Sequence, residues 1–374
     1  MQAPIPFSAA THGPAWPVRR ALAHDVDTHA ANLSGWQQRY DQLSGGAFHG
    51  ELADLWFDEV QVFRERTSHA VRQTCRIRDD TVWCGLTLTN DGSRIEGRRV
   101  GDGGVMVSGS SAEFELLTPD HHDILGIVAT RSSLLALGEA LGQPLNVCSL
   151  EQPTWLACDG AARARLQRGL ALLLGDAGTG ASCHDHAVAR RFAQQAVLVS
   201  LVTLLAAPQS EFHECMSFAR RQRMVRRACE IVAAHPHEPP TVPELCAQLH
   251  ASRRSLQYAF ETVVGTSPVA HLRSLRLNAA HRDLLAGAFH SVQDTAAAHG
   301  FWSLSQFGAD YRRQFAERPS QTLARSAAFS PSPPWGEGGG EGPRTGTAQV
   351  RQPSPQPSPR GRGSQMECAR VKAG

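Results

Sequence analysis

Apolar residues recur at helical spacing twice between residues 244 and 319, in two copies about fifty residues apart. Each copy predicts a short helix, a turn and a second helix with two large apolar residues four positions apart on its buried side. Ala247 matches Ala297 at an offset of 50, whereas later positions match at 51, so a one-residue slip falls in the turn. The later matches are Ser252, Leu256, Phe260 and Pro268 with Ser303, Phe307, Tyr311 and Pro319.

Cap residues support these helices. Ser252 and Ser303 are suited to cap the second helix of each copy, because a serine hydroxyl accepts from the free N–H groups of a first turn. Between the copies, Ser267 and Pro268 predict the start of a longer helix that runs to about Leu285.

The N-terminal half has a different pattern. Short runs rich in β-branched and aromatic residues, such as 56–63, 81–88 and 113–116, predict strands over 36–129, separated by Gly- and Asp-rich breaks. Strands at such intervals favour a small barrel or sandwich. Helical spacing follows over 131–206, and the last helix, 184–205, is long enough to pack on the barrel or to pair with a second subunit.

Length and composition divide the chain into domains. With 374 residues it can hold two cores. We expect a loosely ordered N-terminus, a sensor or dimerisation domain, a linker, a helical domain and a disordered tail rich in Pro, Gly and Ser. These are predicted at 1–30, 31–206, 207–216, 217–325 and 326–374, respectively.

Charge is distributed unevenly. Residues 217–325 hold fourteen arginines, no lysine and eight acidic residues, which gives +6, whereas residues 1–216 carry −7. A basic module beside an acidic one is typical of a DNA-binding domain joined to another domain. Nine cysteines without C-x-x-C pairs suit a reducing cytoplasm. The absence of an apolar run near twenty residues predicts no membrane partner.

Each copy has the pattern of a helix-turn-helix, in which the second helix enters the major groove by its N-terminal end. The first copy exposes Arg and Gln, which make bidentate contacts to guanine and adenine edges, so we expect it to carry most of the direct readout. The second exposes small and apolar groups that supply few base hydrogen bonds. The predicted base-contacting residues are Arg253, Arg254, Gln257, Tyr258, Leu304, Ser305, Gly308 and Ala309.

Phosphate contacts are expected around the helix caps and at the end of the second copy. The predicted residues are Ser252, Ser303, Gln306, Arg312 and Arg313. Arg273 and Arg276, on the connecting helix, can touch phosphate or pair with nearby acids, and we favour the structural role. The connecting helix would hold the two second helices about 34 Å apart, one turn of DNA.

These residues resemble the AraC/XylS family of bacterial transcription regulators. The resemblance covers roughly residues 220–323, with Ala316 where the family usually has glycine and Arg318 where it has Ser or Thr. It rests on Phe260-x4-Gly265-x-Ser267-Pro268 and on Ala297-x-x-Gly300-Phe301 followed by Ser303, Phe307, Tyr311, Phe315 and Pro319.

The resemblance implies an α+β protein in which a cupin-like β-barrel sensor domain and its helices precede an all-α domain with two helix-turn-helix motifs. It implies control of transcription at promoter DNA, usually activation, with RNA polymerase, a small-molecule effector and a second copy of the chain as partners. A weaker similarity, over 46–52, 253–258 and 302–313, links the chain to the branch containing the regulator of ethanolamine utilisation operons. Its effectors are not carried over.

No enzyme motif of the phosphate-loop, serine-hydrolase or zinc-protease type occurs, so we predict no catalytic residue, metal or cofactor. His121, His122 and Asp123 form a compact cluster, but neighbours on an extended segment face opposite sides, which favours a solvated turn. His184 and His186 stand two apart at a helix start and do not share a face, which favours a cap.

Three hypotheses for function remain open. The first is a ligand-responsive, dimeric transcription factor. The second is a constitutive regulator whose N-terminal half serves only partner binding or self-association. The third is a cupin-type enzyme joined to a DNA anchor, which requires a metal.

Overall fold

The computed structural model of the protein describes residues 18–89, 92–101, 103–111, 113–146, 150–175, 187–206 and 216–329. Within these ranges the N-terminal part is rich in β-sheet and the C-terminal part is helical. This agrees with the predicted mixture of α and β structure. The linker predicted at 207–216 lies outside the described residues apart from Met216, which begins a helix. Residues 184–186 and the tail from residue 330 also lie outside them.

The strands of the described residues pair antiparallel into two sheets. Their bounds are β1 Arg19–Ala23, β2 Gln37–Gln42, β3 Gly50–Trp56, β4 Val60–Thr67, β5 Val71–Arg76, β6 Thr81–Thr87, β7 Arg94–Ile95, β8 Arg98–Arg99, β9 Gly104–Gly109, β10 Phe114–Thr118, β11 His122–Thr130 and β12 Thr154–Ala157. The larger sheet has the order β1-β3-β4-β11-β6-β9-β12, and the smaller sheet has the order β2-β5-β10-β7-β8.

An apolar and aromatic layer lies within this β-sheet region. Trp83, Tyr40 and Phe114 belong to it and are almost wholly buried, and the rings of Trp83 and Phe114 stack with centroids 5.1 Å apart. The predicted barrel is wrong in one respect, because the described strands form two separate sheets and no closed ring. The end of the edge strand β2 instead meets a helix of the C-terminal part, through Gln42.

Two elements of the N-terminal part differ from the prediction. Residues 19–30, expected to be loosely ordered, belong to β1 and to the helix α1 (Val26–Asn32). Asp25 caps this helix by accepting the backbone N–H of Thr28 at 2.7 Å. β12 lies where only helices were expected and pairs with β9. Both strands depend on partners distant in the sequence, which a local pattern does not reveal.

Helices cover the larger sheet. They are α2 (Arg131–Ala140), α3 (Gly160–Leu173) and α4 (Ala187–Leu205). By length and composition alone, α4 is long and apolar enough to cross a membrane. Its Leu198, Leu201 and Val202 nevertheless belong to the same buried core as β4, β6 and β11, as in the core helix of a folded domain.

Seven helices make up the described C-terminal part. They are α5 Met216–Ala234, α6 Val242–Gln248, α7 Arg253–Val263, α8 Pro268–Ala286, α9 Val292–Ala298, α10 Leu304–Phe315 and α11 Pro319–Phe329. α8 begins at the Ser267 cap and Pro268, as predicted. Leu272 of α8 belongs to the core formed with α5 to α7, whereas Leu277 and Leu284 belong to the core formed with α9 and α10.

α10 ends on a strained residue. Ala316 follows the helix with a φ of 56°, in the left-handed region. A side chain with a Cβ atom costs roughly 1–2 kcal/mol in this conformation, whereas glycine adopts it freely. The position at which the chain departs from the pattern of the family it resembles is therefore one where glycine fits the backbone better.

We predict that Leu201→Ala lowers the free energy of unfolding by about 2–5 kcal/mol, because Leu201 is fully buried and truncation leaves a cavity. Urea denaturation monitored by circular dichroism measures this loss. The control is Leu172→Ala, the same chemical change at a side chain that is 60% exposed, for which we expect a change within about 0.5 kcal/mol. Equal losses in the two variants would contradict a core position for α4.

We predict that Ala316→Gly raises the free energy of unfolding by about 1 kcal/mol, since it removes the strain of a left-handed alanine. Ala309→Gly, in the interior of the same helix, should lower it by about 1 kcal/mol, because glycine weakens a regular helix. Thermal and urea denaturation of both variants provide the comparison. A destabilising Ala316→Gly would show that the backbone is not left-handed there.

Candidate DNA-binding surface

In the first helix pair, α6 leads into α7 through a tight turn. The backbone N–H of Thr241 donates to the Glu244 carboxylate at 2.7 Å, which caps α6. His250 follows the helix with a left-handed φ of 49°. The backbone N–H of Ser255 then donates to the Ser252 hydroxyl at 3.1 Å, so Ser252 caps α7 as predicted.

The second pair, α9 and α10, is built in the same way. The backbone N–H of Asp294 donates to the Ser291 hydroxyl at 3.0 Å and caps α9. Gly300 takes the left-handed position with a φ of 69°. The backbone N–H of Gln306 donates to the Ser303 hydroxyl at 3.4 Å, so Ser303 caps α10 as predicted.

The two turns explain the one-residue slip between the copies. The left-handed residues, His250 and Gly300, are 50 positions apart, whereas the caps Ser252 and Ser303 are 51 apart. The additional residue therefore lies between the left-handed residue and the cap. It lengthens the turn before α10 without changing the helices on either side.

Buried anchors hold both second helices in place. Leu256 and Phe260 of α7 and Phe307 and Tyr311 of α10 have no exposed surface. The first two pack against α5, α6 and α8, and the other two pack against α8 and α9. Each second helix thus presents its opposite side outward from a fixed base.

The outward side of α7 carries charge and amide groups. Arg253 and Arg254 are exposed at its N-terminal end, where a helix in the major groove meets base edges. Gln257 is half-buried and donates to the Glu261 carboxylate at 2.7 Å. Tyr258 is 57% exposed. The guanidinium and amide groups needed for bidentate base contacts therefore lie on one helix face.

The outward side of α10 is small and apolar. Leu304, Ser305 and Ala309 are exposed and Gly308 is half-buried, as the sequence predicted. Trp302, in the turn before α10, is 74% exposed and was not among the predicted contact residues. The sequence did indicate this exposure, because a tryptophan directly before a helix cap lies in a turn, where little of the core is within reach of its side chain.

An ionic cluster organises the phosphate candidates at the end of α10. Asp310 is buried and accepts from Arg313 at 2.6 Å and from Gln306 at 3.1 Å. Arg273 of α8 also pairs with Asp310. Arg312, like Gln306 and Arg313, is exposed. The Asp310 carboxylate therefore positions Gln306 and Arg313 on the outer surface, beside Arg312.

The connecting helix supports both copies through polar contacts. Arg276 donates to the carbonyls of His299 and Gly300 at 3.4 Å, and its guanidinium lies 4.7 Å from the centre of the Phe301 ring. Together with the Arg273 pair, these contacts agree with the structural role favoured for both arginines. They brace the turn of the second pair against α8.

A buried hydrogen-bond chain links α8 to α10 and α11. His281 Nδ1 lies 2.6 Å from the Tyr311 hydroxyl, which lies 2.8 Å from the Thr322 hydroxyl. Thr322 donates to the Glu317 carboxylate at 2.7 Å. Burial lowers the pKa of His281 to about 4, so its imidazole is neutral near pH 7. The imidazole thus adds no charge to the core of the second pair.

The histidine cluster of the N-terminal part does not converge. His121 is exposed with a left-handed φ of 56°, whereas His122 is buried at the start of β11. Asp123 pairs with Arg64 at 2.7 Å and with Arg66 at 3.2 Å. The expected solvated turn is therefore correct for His121 and wrong for His122, because the strand begins between them. The described residues contain no group of side chains arranged to hold a metal ion.

Comparison with known proteins places this surface in a family. A family model described as a helix-turn-helix domain matches residues 245–325. The probable thc operon regulatory protein of Rhodococcus erythropolis is 33% identical over 102 residues, which are 27% of this chain and 31% of that protein. The transcriptional regulator CdhR of Pseudomonas aeruginosa is 35% identical over 112 residues, 29% of this chain and 33% of that protein.

A solved structure of a probable AraC family transcriptional regulator from Rhodopseudomonas palustris is 37% identical, with a TM-score of 0.26. It covers 28% of this chain and 97% of the other. The chain spans about a third of the length of the two curated relatives described here. By the family model and the curated relatives, residues 245–325 of this chain form a helix-turn-helix DNA-binding domain of the AraC type.

Proposed function

We propose that this protein is a sequence-specific transcription regulator, an activator rather than an enzyme, which works in the cytoplasm on promoter DNA. The two capped helix pairs act as two helix-turn-helix motifs. The observation that carries the proposal is that α7 and α10 share equivalent buried anchors and present their N-terminal ends outward. Core packing explains the buried anchors, but it does not explain the arginines of α7, because these are exposed.

The two motifs have different roles in DNA recognition. α7 reads base edges through Arg253 and Arg254, with Gln257 and Tyr258 beside them. α10 follows groove shape and thymine methyl groups through its small and apolar face, and Arg312 neutralises phosphate. Trp302 extends this second surface, because its exposed ring can pack on the sugar-phosphate backbone. Ser252, Ser303, Gln306 and Arg313 complete the phosphate contacts.

The N-terminal part makes the regulator responsive to a small molecule. Its support is the set of direct hydrogen bonds between β2 and the DNA-binding domain, which gives the N-terminal part a physical connection to the reading helices. RNA polymerase and a second copy of the chain are the further partners that we propose. No metal or cofactor is required.

The experiment for this proposal is selection of binding sites from random double-stranded DNA by the purified full chain. We expect enrichment of one sequence motif with nanomolar to tens of nanomolar affinity at physiological salt. Enrichment of no motif, with equal affinity for every sequence, would eliminate the proposed function.

We predict that Arg254→Ala relaxes base preference at its contact position and weakens binding by about 1–3 kcal/mol, because it removes a bidentate base contact. Arg312→Ala should weaken binding to every sequence alike and lower the slope of log affinity against log salt by about 1, because it removes a phosphate contact. Electrophoretic mobility shifts on selected and scrambled DNA, at several salt concentrations, separate the two effects. Indistinguishable behaviour of the two variants would refute this division of work.

A further inference from the structure

A cavity of about 910 Å³ lies between the smaller sheet and the DNA-binding domain. One wall is the outer face of β2, β5 and β10, and the other is formed by α5, the end of α7 and α8. Its size is within the range of small-molecule sites, which occur preferentially at domain interfaces. It is distinct from the interior of the β-sheet region, where the described space amounts to only about 10 Å³.

Next to the cavity, beside its lining residues Asp41 and Leu275, lies a buried polar contact that we term the Gln42 clasp, formed by Gln42, Ser274, Asn278 and Gln314. Asn278 accepts the backbone N–H of Gln42 and donates to its carbonyl, both at 2.8 Å. Ser274 and Gln314 donate to the same carbonyl at 2.9 and 2.7 Å. Gln42 in turn donates to the carbonyl of Gln314, near the end of α10. The Gln42 clasp therefore contacts α10, the second helix of the second pair.

A second set of contacts joins the smaller sheet to α7, the second helix of the first pair. Arg94 donates to the carbonyl of Thr262, near the end of α7, at 2.5 Å. Gly97 packs directly against Val263. Gln222 of α5 donates to the Glu96 carboxylate at 2.6 Å. The cavity is thus held between contacts to the C-terminal ends of both α7 and α10.

Two polar side chains that line the cavity have atoms without a hydrogen-bond partner. His271 is 2% exposed, and neither of its ring nitrogens is bonded. The hydroxyl of Thr74, on the opposite wall, is buried and also lacks a partner. Burial lowers the pKa of His271 to about 4, so its neutral ring offers one donor and one acceptor. Buried polar groups are normally bonded, so two side chains that line one cavity and hold unbonded polar atoms indicate a ligand that would bring a partner to them.

The charges around the cavity are nearly balanced. Six arginines and five acidic residues line it. On the sheet wall, Arg72 lies 2.6 Å from Glu115 and 3.4 Å from Asp41, which lies 2.9 Å from Arg282 of α8. Both signs of charge therefore line the cavity, and a ligand that carries both signs can pair with each, which offsets the cost of burying its charges.

The helix wall carries apolar side chains beside its charged ones. Val225 and Val232 of α5, Val263 of α7 and Leu275 of α8 line it, together with Arg226 and Glu230 of α5. Such a surface favours a ligand with an apolar body beside its charged groups. A hydrogen-bonding end faces His271 and Thr74, and the apolar end faces α5.

We propose that this interdomain cavity is the effector site, and that it binds a zwitterion of the amino-acid type, an amino acid or a short peptide with an apolar side chain. The inference rests on the proposed function, because an effector site has a role only in a regulator. Binding of the ligand to the cavity can nevertheless be measured without DNA. His271 and Thr74 are the positioning residues that we assign to it.

The experiment is isothermal titration of the purified full chain with a pool of the twenty common L-amino acids and a pool of apolar dipeptides. The members of any pool that binds are then titrated singly. We expect saturable binding of at least one zwitterion with a Kd below about 1 mM. We expect its N-acetyl derivative, which keeps only the anion, and its amide, which keeps only the cation, each to bind at least tenfold more weakly.

Variants separate binding from folding. His271→Leu removes both ring nitrogens and should weaken the zwitterion at least tenfold while leaving the melting temperature unchanged or higher, because no protein bond is lost. Thr74→Val should weaken it about fivefold. The matched control is His290→Leu at an exposed position outside the cavity, which should bind as the wild type does.

Three results would overturn the proposal. They are no saturable binding from either pool, a singly charged derivative that binds within twofold of the zwitterion, and undiminished binding by both His271→Leu and Thr74→Val. Selection of DNA sites with the same preparation is unaffected by any of them. A chain that selects its DNA motif but binds no zwitterion disproves the effector site and leaves the regulator in place.

Discussion

The structure depends on one helix, α8, that is enclosed by protein on several sides. Leu272 completes the core of the first helix pair, and Leu277 and Leu284 complete the core of the second. Ser274 and Asn278 bond to β2 through Gln42. A helix that contacts three neighbours has no single apolar face, and its buried Ser274, Asn278 and His281 are each hydrogen-bonded. Together with the contacts of Arg94 and Gln222, this helix sets the placement of α7 and α10 relative to the N-terminal part.

The Gln42 clasp also has a consequence for the sheet. An edge strand presents free N–H and C=O groups, which proteins usually protect. Here the Asn278 side chain satisfies both backbone groups of Gln42, as a neighbouring strand would. A fully bonded buried network of this kind favours one relative position of its parts, because any displacement leaves several polar groups without partners. The N-terminal part and the reading helices are therefore mechanically connected.

Local patterns predicted the C-terminal part well. The caps Ser252 and Ser303 are confirmed because they act within three residues. The start of α8 is confirmed for the same reason. The two sheets and the bond between Gln42 and Asn278, 236 residues apart, could not be predicted. Strand order and domain docking depend on contacts between residues far apart in the sequence, and such contacts produce no periodic pattern. The cavity was missed because its lining alternates with core residues on separate strands.

We propose that α8 holds α7 and α10 at the spacing of one DNA turn. Its 19 residues span about 28 Å, which suits such a separation. The most direct measurement is hydroxyl-radical footprinting of the full chain on its selected site. We expect two protected segments on one face of the duplex, with centres about 10 base pairs apart. A single protected segment, or two on opposite faces, would contradict it.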